Sequence, residues 1–344
     1  MKKWILAAVL ALPIHLLAQY NFSALDARIE AMKKELGGFA SVVVAKDGKV
    51  IYKKNLGEDF NERTQVPIAS SSKWLTAAMV MALVDAGKLS LDDKVSKYLP
   101  DFTKYNKSYI TIRHCLSHQT GIKQEPIKLA AFLLRKKYET LEQEVNDFVS
   151  KREIDYNPGE AFFYGNVGIN IAARVCEVVM KRGFEQIIGE KILRPLAMRS
   201  TNFSDENGNA PNPSGGAVSS SLDYTNFLTM ILNKGVFNGK QVLSEASVEE
   251  LIRSQTAGVP VKYAPKVAEG FTYSLGAWVQ EKDAANKTFI ISAPGLLGTW
   301  PMIDFCRKYS FVIVTKSLLT DQKREAYQQL IQLINDQISV QSCN

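Results

Sequence analysis

The 344-residue chain has only three histidines and four cysteines, and beyond its N-terminus it has no long apolar run. With His15 inside the N-terminal apolar segment, any Ser-His-Asp triad or histidine-based metal centre must use His114 or His118. Four cysteines make no disulfide framework. Cys115 and Cys176 sit in apolar stretches and Cys343 lies beside the last residue, so buried free thiols are the expectation. Gly-x-Gly-x-x-Gly, Gly-x-Ser-x-Gly and Walker loops are all missing, and Gly87-Lys88 runs on into Leu89. The basic excess is small, 42 Lys and Arg against 35 Asp and Glu, a formal +7 that falls to about +5 without Lys2 and Lys3. It is scattered, whereas a nucleic-acid interface needs a stripe or patch. A composition 46% hydrophobic and 22% charged fits a globular protein rather than a disordered one. The length suits one large domain or two.

Lys2 and Lys3 precede an apolar stretch over residues 4–18, broken by Pro13 and His15. That is shorter than the ~20 residues of a membrane span and reads as a secretory signal peptide, residues 1–18, ending at Ala18. If retained, it is the chain's one contact with a membrane. The expected location is periplasmic or secreted, and residues 19–344 form the working domain.

Residues 23–36 alternate apolar and charged side chains at helical spacing. Residues 39–45 and 49–53 read as two strands, and Asp47-Gly48 between them is a hairpin dipeptide. Residues 75–85 are apolar nearly all round, a buried helix stopped by Gly87. Further helices are expected over 112–118, 139–151, 167–180, 222–232 and 247–254. Strands follow over 271–279, 288–292, 299–303 and 311–314, and an amphipathic helix closes the chain over 320–338. The pattern predicts an α/β (α+β) fold with one antiparallel sheet built from both termini and flanked by helices. A sheet subdomain takes about 19–65 and 260–344, and a helical subdomain about 66–259, with a cleft between them.

His114 and His118, four apart on a predicted helix beside Cys115, have the spacing of a zinc pair. No third histidine is available, so hydrogen bonding within the fold is the expectation and no metal is expected. A stronger chemical signal is Ser70-Ser71-Ser72-Lys73. On a helix, residues three apart share a face, which sets the Ser70 hydroxyl beside the Lys73 amine. The helix N-terminus adds partial positive charge and an N–H for a developing oxyanion. Bringing a lysine from about 10.4 to about 7 costs about 4.6 kcal/mol, and burial among Trp74, Leu75, Ala77 and Ala78 acts in that direction. The spacing is cheap by itself, and Ser70 as a plain helix cap is its rival. Tyr164-Gly165-Asn166 follows the turn Asn157-Pro158-Gly159 and precedes a helix, a place from which a phenol can relay protons. Tyr224-Thr225-Asn226 repeats the pattern inside a helix capped by Ser220 and Asp223, where a surface or packing role is expected.

In this order these segments resemble the serine β-lactamase and penicillin-binding-protein-like family, on its class C β-lactamase, D-alanyl-D-alanine peptidase and esterase side. The resemblance spans nearly the whole chain after the signal. It takes in Pro67 to Lys73, Gly87 to Asp93, Tyr98-Leu99-Pro100, Ile110 to Ile122, Pro158 to Asn166, Pro195 to Met198 and Gly215-Gly216. It implies that Ser70 is the acylated nucleophile, Lys73 and Tyr164 the acid/base pair, and Asn166 a polar substrate contact. The strand element, Lys-Thr-Gly or His-x-Gly in the family, has Ala293-Pro294-Gly295 as its counterpart. Gly295 lets substrate lie against the strand, and the N–H of Leu296 joins that of Ser70 as the oxyanion hole. Ala293 carries neither cation nor hydroxyl, which favours a neutral ester or amide; Lys316 is the candidate substitute cation. The resemblance thus implies an exported hydrolase of a small-molecule or peptide substrate, needing no cofactor. The alternatives are a D-Ala-D-Ala carboxypeptidase, a class C-like β-lactamase and a non-catalytic binder of cell-wall fragments.

Overall fold

Asp47 and Gly48 both adopt positive φ, 51° and 74°, and close the tight hairpin between β1 (Ala40–Lys46) and β2 (Lys49–Leu56). This hairpin joins five strands from the other end of the chain in a computed structural model that describes residues 20–127, 129, 136–205, 208–341 and 343. The signal segment lies outside the described residues. The late strands are β3 (Thr272–Tyr273), β4 (Trp278–Lys282), β5 (Thr288–Ser292), β6 (Trp300–Asp304) and β7 (Tyr309–Thr315). Their order in the sheet is β2-β1-β7-β6-β5-β4-β3, with every pairing antiparallel. The early and late halves of the chain meet where β1 pairs β7 from Ala40↔Thr315 to Lys46↔Tyr309.

Both faces of the sheet are covered, which is why β1 and β7 are buried along their whole length. On β7, Tyr309, Phe311 and Ile313 meet the terminal helices α1 (Ser23–Ala31) and α8 (Asp321–Asn335) through Leu25, Ile29, Tyr327 and Leu330. The alternate residues Val312 and Val314 face the other way, into a core shared with the central helices. Those helices are α2 (Ser72–Asp85), α3 (Ile112–Leu116), α4 (Leu141–Lys151), α5 (Val167–Met180), α6 (Ser221–Leu232) and α7 (Glu245–Ile252). Four of these six start on a side-chain oxygen: Thr111, Thr140, Ser220 and Ser244 each accept an N–H from the first turn, as Thr320 does for α8. Gly87, at φ 62°, ends the chain's run through α2.

Three expectations need correction. The strand foreseen over 271–279 is broken into β3 and β4, because the chain turns at Gly276 (φ 88°) against the Lys73 carbonyl. The helix foreseen over 112–118 stops at Leu116, and His118 lies beyond it in the left-handed region (φ 58°), so the two histidines share no helix face. Cys306 and Cys343 form a disulfide that ties the C-terminal tail to the turn after β6, whereas Cys115 and Cys176 are the buried free thiols. Short pairs within the helical part were unforeseen, among them Val66–Pro67 with Val218–Ser219 and Phe162–Phe163 with Val261–Tyr263. Two residues are too few to leave a period-two pattern. No helix among the described residues is long and apolar enough to cross a membrane.

At Gly168, on the buried side of α5, an added Cβ would lie 2.2 Å from the carbonyl oxygen of Cys115 at the end of α3. Gly189 is helical (φ −59°, ψ −42°) and its Cβ would meet open space. Gly168→Ala is therefore expected to lower unfolding free energy by about 1–3 kcal/mol. Gly189→Ala is expected to raise it by about 0.4–1 kcal/mol. Urea titrations of the two variants beside wild type check both signs.

Candidate active site

Ser70 lies in a tight turn, Ala69–Ser71, that runs into α2. Ala69 holds φ 45°, a conformation that costs a non-glycine residue on the order of 1 kcal/mol and persists only under surrounding restraint. The restraints are visible. The Ser71 hydroxyl donates to the carbonyl of Ala293 at 2.6 Å, and the Tyr224 phenol donates to the carbonyl of Ser71 at 2.7 Å. The Ser72 hydroxyl donates to the carbonyl of Ala69 at 2.6 Å and accepts the N–H of Ala217 at 3.0 Å. Ser70 makes no side-chain cap to the helix, so the plain capping reading of this residue fails.

One turn along, Lys73 is 1% exposed. Its Nζ is 3.3 Å from Ser70 Oγ, 2.9 Å from Asn166 Oδ1 and 2.8 Å from the carbonyl of Ser214. All three partners are neutral. Burial, with no counter-charge to offset it, pulls the Lys73 amine down to about 7. Tyr164, also buried, interacts with the Ser70 side chain, and the Lys73 amine lies 5.0 Å from its ring centre. Burial pushes the Tyr164 phenol well above its ordinary value despite the Ser70 hydrogen bond, so it stays protonated at neutral pH.

An aromatic shell packs around Tyr164. His118 lies 4.8 Å away ring to ring, Trp278 4.9 Å and Tyr273 5.8 Å. His118 Nε2 is 3.2 Å from the Tyr273 hydroxyl. Burial, and then the charge of Lys73, hold the imidazole neutral, well below its usual value. His114 is engaged differently: its Nδ1 accepts the N–H of Thr111, completing a capping box at the start of α3. Both histidines are parts of the scaffold, and no cluster of three metal-ligating side chains occurs among the described residues.

The strand element approaches from β5. Ala293 donates its N–H to the carbonyl of Pro301, and Gly295 donates to that of Thr299 at 2.8 Å. A Cβ on Gly295 would stand 2.2 Å from the carbonyl oxygen of Ile68 and 3.2 Å from Ser71 Oγ, so only glycine fits between the strand end and the turn at Ser70. Neither the Ser70 nor the Leu296 N–H bonds another backbone carbonyl among the described residues. Ser70, Asn166 and Leu296 open together onto one cleft of about 520 Å³, also lined by Ser214 and Gly215.

All six expected site residues therefore gather at one place. Asn166, foreseen as a substrate contact, has its side-chain carbonyl committed to Lys73. Lys316, the foreseen substitute cation, is not on the cleft. Its amine lies over the rings of Phe39 (4.8 Å) and Phe60 (5.5 Å). Ser214 and Tyr224 are the contributors that motif reading did not assign. Ser214 acts through its backbone carbonyl, which no side-chain pattern signals. Of the surface and packing roles open to Tyr224, the structure shows packing, and its hydroxyl also holds the turn at Ser70.

A profile of the β-lactamase family matches residues 25–336. Protein flp of Staphylococcus aureus (strain MW2) is 31% identical over 178 residues, 49% of this chain; the match covers 35% of flp, so the chain spans about a third of that relative. D-alanyl-D-alanine-carboxypeptidase/endopeptidase AmpH of Escherichia coli (strain K12) is 26% identical over 315 residues, covering 82% of this chain and 80% of AmpH. Among solved structures, a protein assigned as a β-lactamase from Bacteroides dorei DSM 17855 superposes with a TM-score of 0.81 at 28% identity, covering 92% of this chain and 98% of that one. A family match over most of the length, on a fold held in common with the Bacteroides protein, makes this chain a member of the β-lactamase family of serine hydrolases.

Proposed function

We propose that the protein is an exported hydrolase that cleaves an ester or amide through an acyl-enzyme on Ser70. The observation that carries this reading is the Lys73 amine, buried, ringed by neutral partners and 3.3 Å from Ser70 Oγ. An amine brought to about 7 is a competent base at neutral pH, where a surface lysine is not.

In the proposed reaction Ser70 Oγ attacks the substrate carbonyl carbon while its proton passes to neutral Lys73. The oxyanion sits between the N–H groups of Ser70 and Leu296, each such donor contributing about 2.7–4 kcal/mol in the transition state. Collapse breaks the bond to the leaving group, which takes a proton from the Tyr164 phenol, and Lys73 returns one to Tyr164. Water then attacks the ester on Ser70, giving a proton to the same pair; the bond from the acyl carbon to Oγ breaks, the pair returns that proton to Ser70 Oγ, and the acid departs. Ala293 brings no cation or hydroxyl to the strand end, which favours substrates that are neutral beside the reacting carbonyl. Export is supported by the disulfide Cys306–Cys343, since such bonds persist in oxidising compartments.

The AmpH relative favours a second reading, a peptidase acting on D-alanyl-D-alanine ends. Intact-mass measurement after exposure to a fluorophosphonate, a penicillin or a D-alanyl-D-alanine peptide separates the readings. A single adduct is expected with the fluorophosphonate on wild type and none on Ser70→Ala. Peptide turnover with a penicillin adduct would move the assignment to the peptidase. No adduct with any reagent would leave a ligand-binding protein on this fold.

The pH dependence has a fixed sign. Lys73 is the base only when unprotonated, so kcat/KM with a neutral ester is expected to climb through about pH 7 and level off above it. Below that point it should fall about tenfold per pH unit. A flat profile from pH 5 to 8 in steady-state assays would refute Lys73 as the base. Tyr164→Phe, which keeps the ring and its packing, is expected to lower kcat by about 10²–10⁴-fold with little change in KM.

A further inference from the structure

The cleft in front of Ser70 continues along the helical wall to Tyr138, Phe148 and Arg152. Arg152 directly follows α4 and is half-buried, its guanidinium stacked 4.6 Å over the ring of Phe148. A guanidinium presents a planar fork of N–H donors, and among the described residues this one makes a single hydrogen bond, from Nη1 to the carbonyl of Lys123 at 3.3 Å. Among the described residues it has no carboxylate at ion-pair distance, although Glu144, Asp147 and Glu125 act on it electrostatically. Asp147 is held by Lys136, Lys151 and the Tyr138 hydroxyl. Glu144 accepts the Asn170 amide, Glu153 is turned to Lys123, and Glu125 is exposed on the rim. A partly desolvated fork with spare donors, facing a cleft, is built to receive a planar anion in two-pronged fashion.

We propose that Arg152 binds a carboxylate carried by the substrate at the end remote from the bond being broken. This rests on the acyl-enzyme reading and narrows its substrate class. At the strand end, Ala293 offers a carboxylate nothing; at the far wall Arg152 offers a fork. Ile127, Tyr138 and Phe148 line the cleft for an apolar spacer between them. The substrate is then an ester or amide, neutral at the scissile carbonyl, with an acidic tail.

Two measurements test this. The first is calorimetric titration of wild type, Arg152→Gln and Arg152→Lys with hexanoate and with hexanamide. Hexanoate is expected to bind wild type about tenfold more tightly than hexanamide. That ratio should drop to near one in Arg152→Gln and recover in part in Arg152→Lys, with thermal melts confirming that both variants fold. A wild-type ratio near one, or a ratio that survives Arg152→Gln, overturns the proposal. The second is kcat/KM for paired esters. Mono-p-nitrophenyl adipate against p-nitrophenyl hexanoate places the carboxylate on the acyl side. The acetate ester of 6-hydroxyhexanoate against hexyl acetate places it on the alcohol side. A preference in one pair that falls with rising salt and with Arg152→Gln supports the proposal and tells which side the tail is on. Turnover without discrimination in either pair overturns it. Discrimination in binding with no turnover of any ester keeps the Arg152 site and removes the acyl-enzyme reading instead.

Discussion

The arrangement around Ser70 depends on one unfavourable act, the burial of the Lys73 amine with no opposite charge beside it. An ammonium in that place loses its hydration and recovers only dipoles, from Ser70, Asn166 and the Ser214 carbonyl. The protein could have answered this with a carboxylate, as buried lysines often are answered. A carboxylate would return the amine to its ordinary range and leave it fully protonated at neutral pH, removing the base that the proposed reaction needs. Neutral partners orient the amine and leave the desolvation penalty standing. The penalty is what brings Lys73 to about 7.

Such a site must be held by its surroundings, and the holding is done where the two parts of the fold meet. Ser71 reaches the strand end through Ala293, and Tyr224 on α6 fixes the Ser71 carbonyl. Gly295 lets the strand end come against the carbonyl of Ile68. The left-handed backbone at Ala69 is sustained by these contacts rather than by local preference. On the other side, the rings of His118, Tyr273 and Trp278 close around Tyr164 and keep water from it. His118 has to be neutral there, because a second buried cation near Lys73 would add repulsion to desolvation, and both effects push it the same way.

What was legible in the sequence follows the range of the interaction that specifies it. The Asp47-Gly48 hairpin, the helix Val167–Met180 and the strand Thr288–Ser292 are written in neighbouring residues and were read at or close to their bounds. Ser70 and Lys73 were readable for the same reason, being one helical turn apart. The break at Gly276 was not, because its cause is the Lys73 carbonyl, some two hundred residues earlier in the chain. The Cys306–Cys343 bond depends on where the C-terminal tail returns, which no spacing reveals. Lys316 reads as available because sequence places it on the last strand. The rings that capture it, Phe39 and Phe60, come from the opposite end of the chain.

The same distinction bears on the departure at Ala293. In a motif read alone, a strand element without cation or hydroxyl looks like decay. In three dimensions, the elements that such decay would release are still under restraint. Gly295 is packed where no side chain fits, the Ala293 carbonyl is tied to Ser71, and Leu296 opens onto the cleft beside Ser70. A site drifting out of use has no reason to keep a strained alanine at φ 45° or a lysine buried at a cost of several kcal/mol, since a hydrophobic replacement would relieve the penalty. The strain therefore fits the proposed acyl-enzyme reading, in which the departure at Ala293 changes what the strand end recognises and leaves the arrangement around Ser70 in place. Under the proposed acyl-enzyme reading, chemistry and recognition are separable because they rest on different atoms: backbone N–H groups and the Ser70-Lys73-Tyr164 set for the one, a single side chain at 293 for the other.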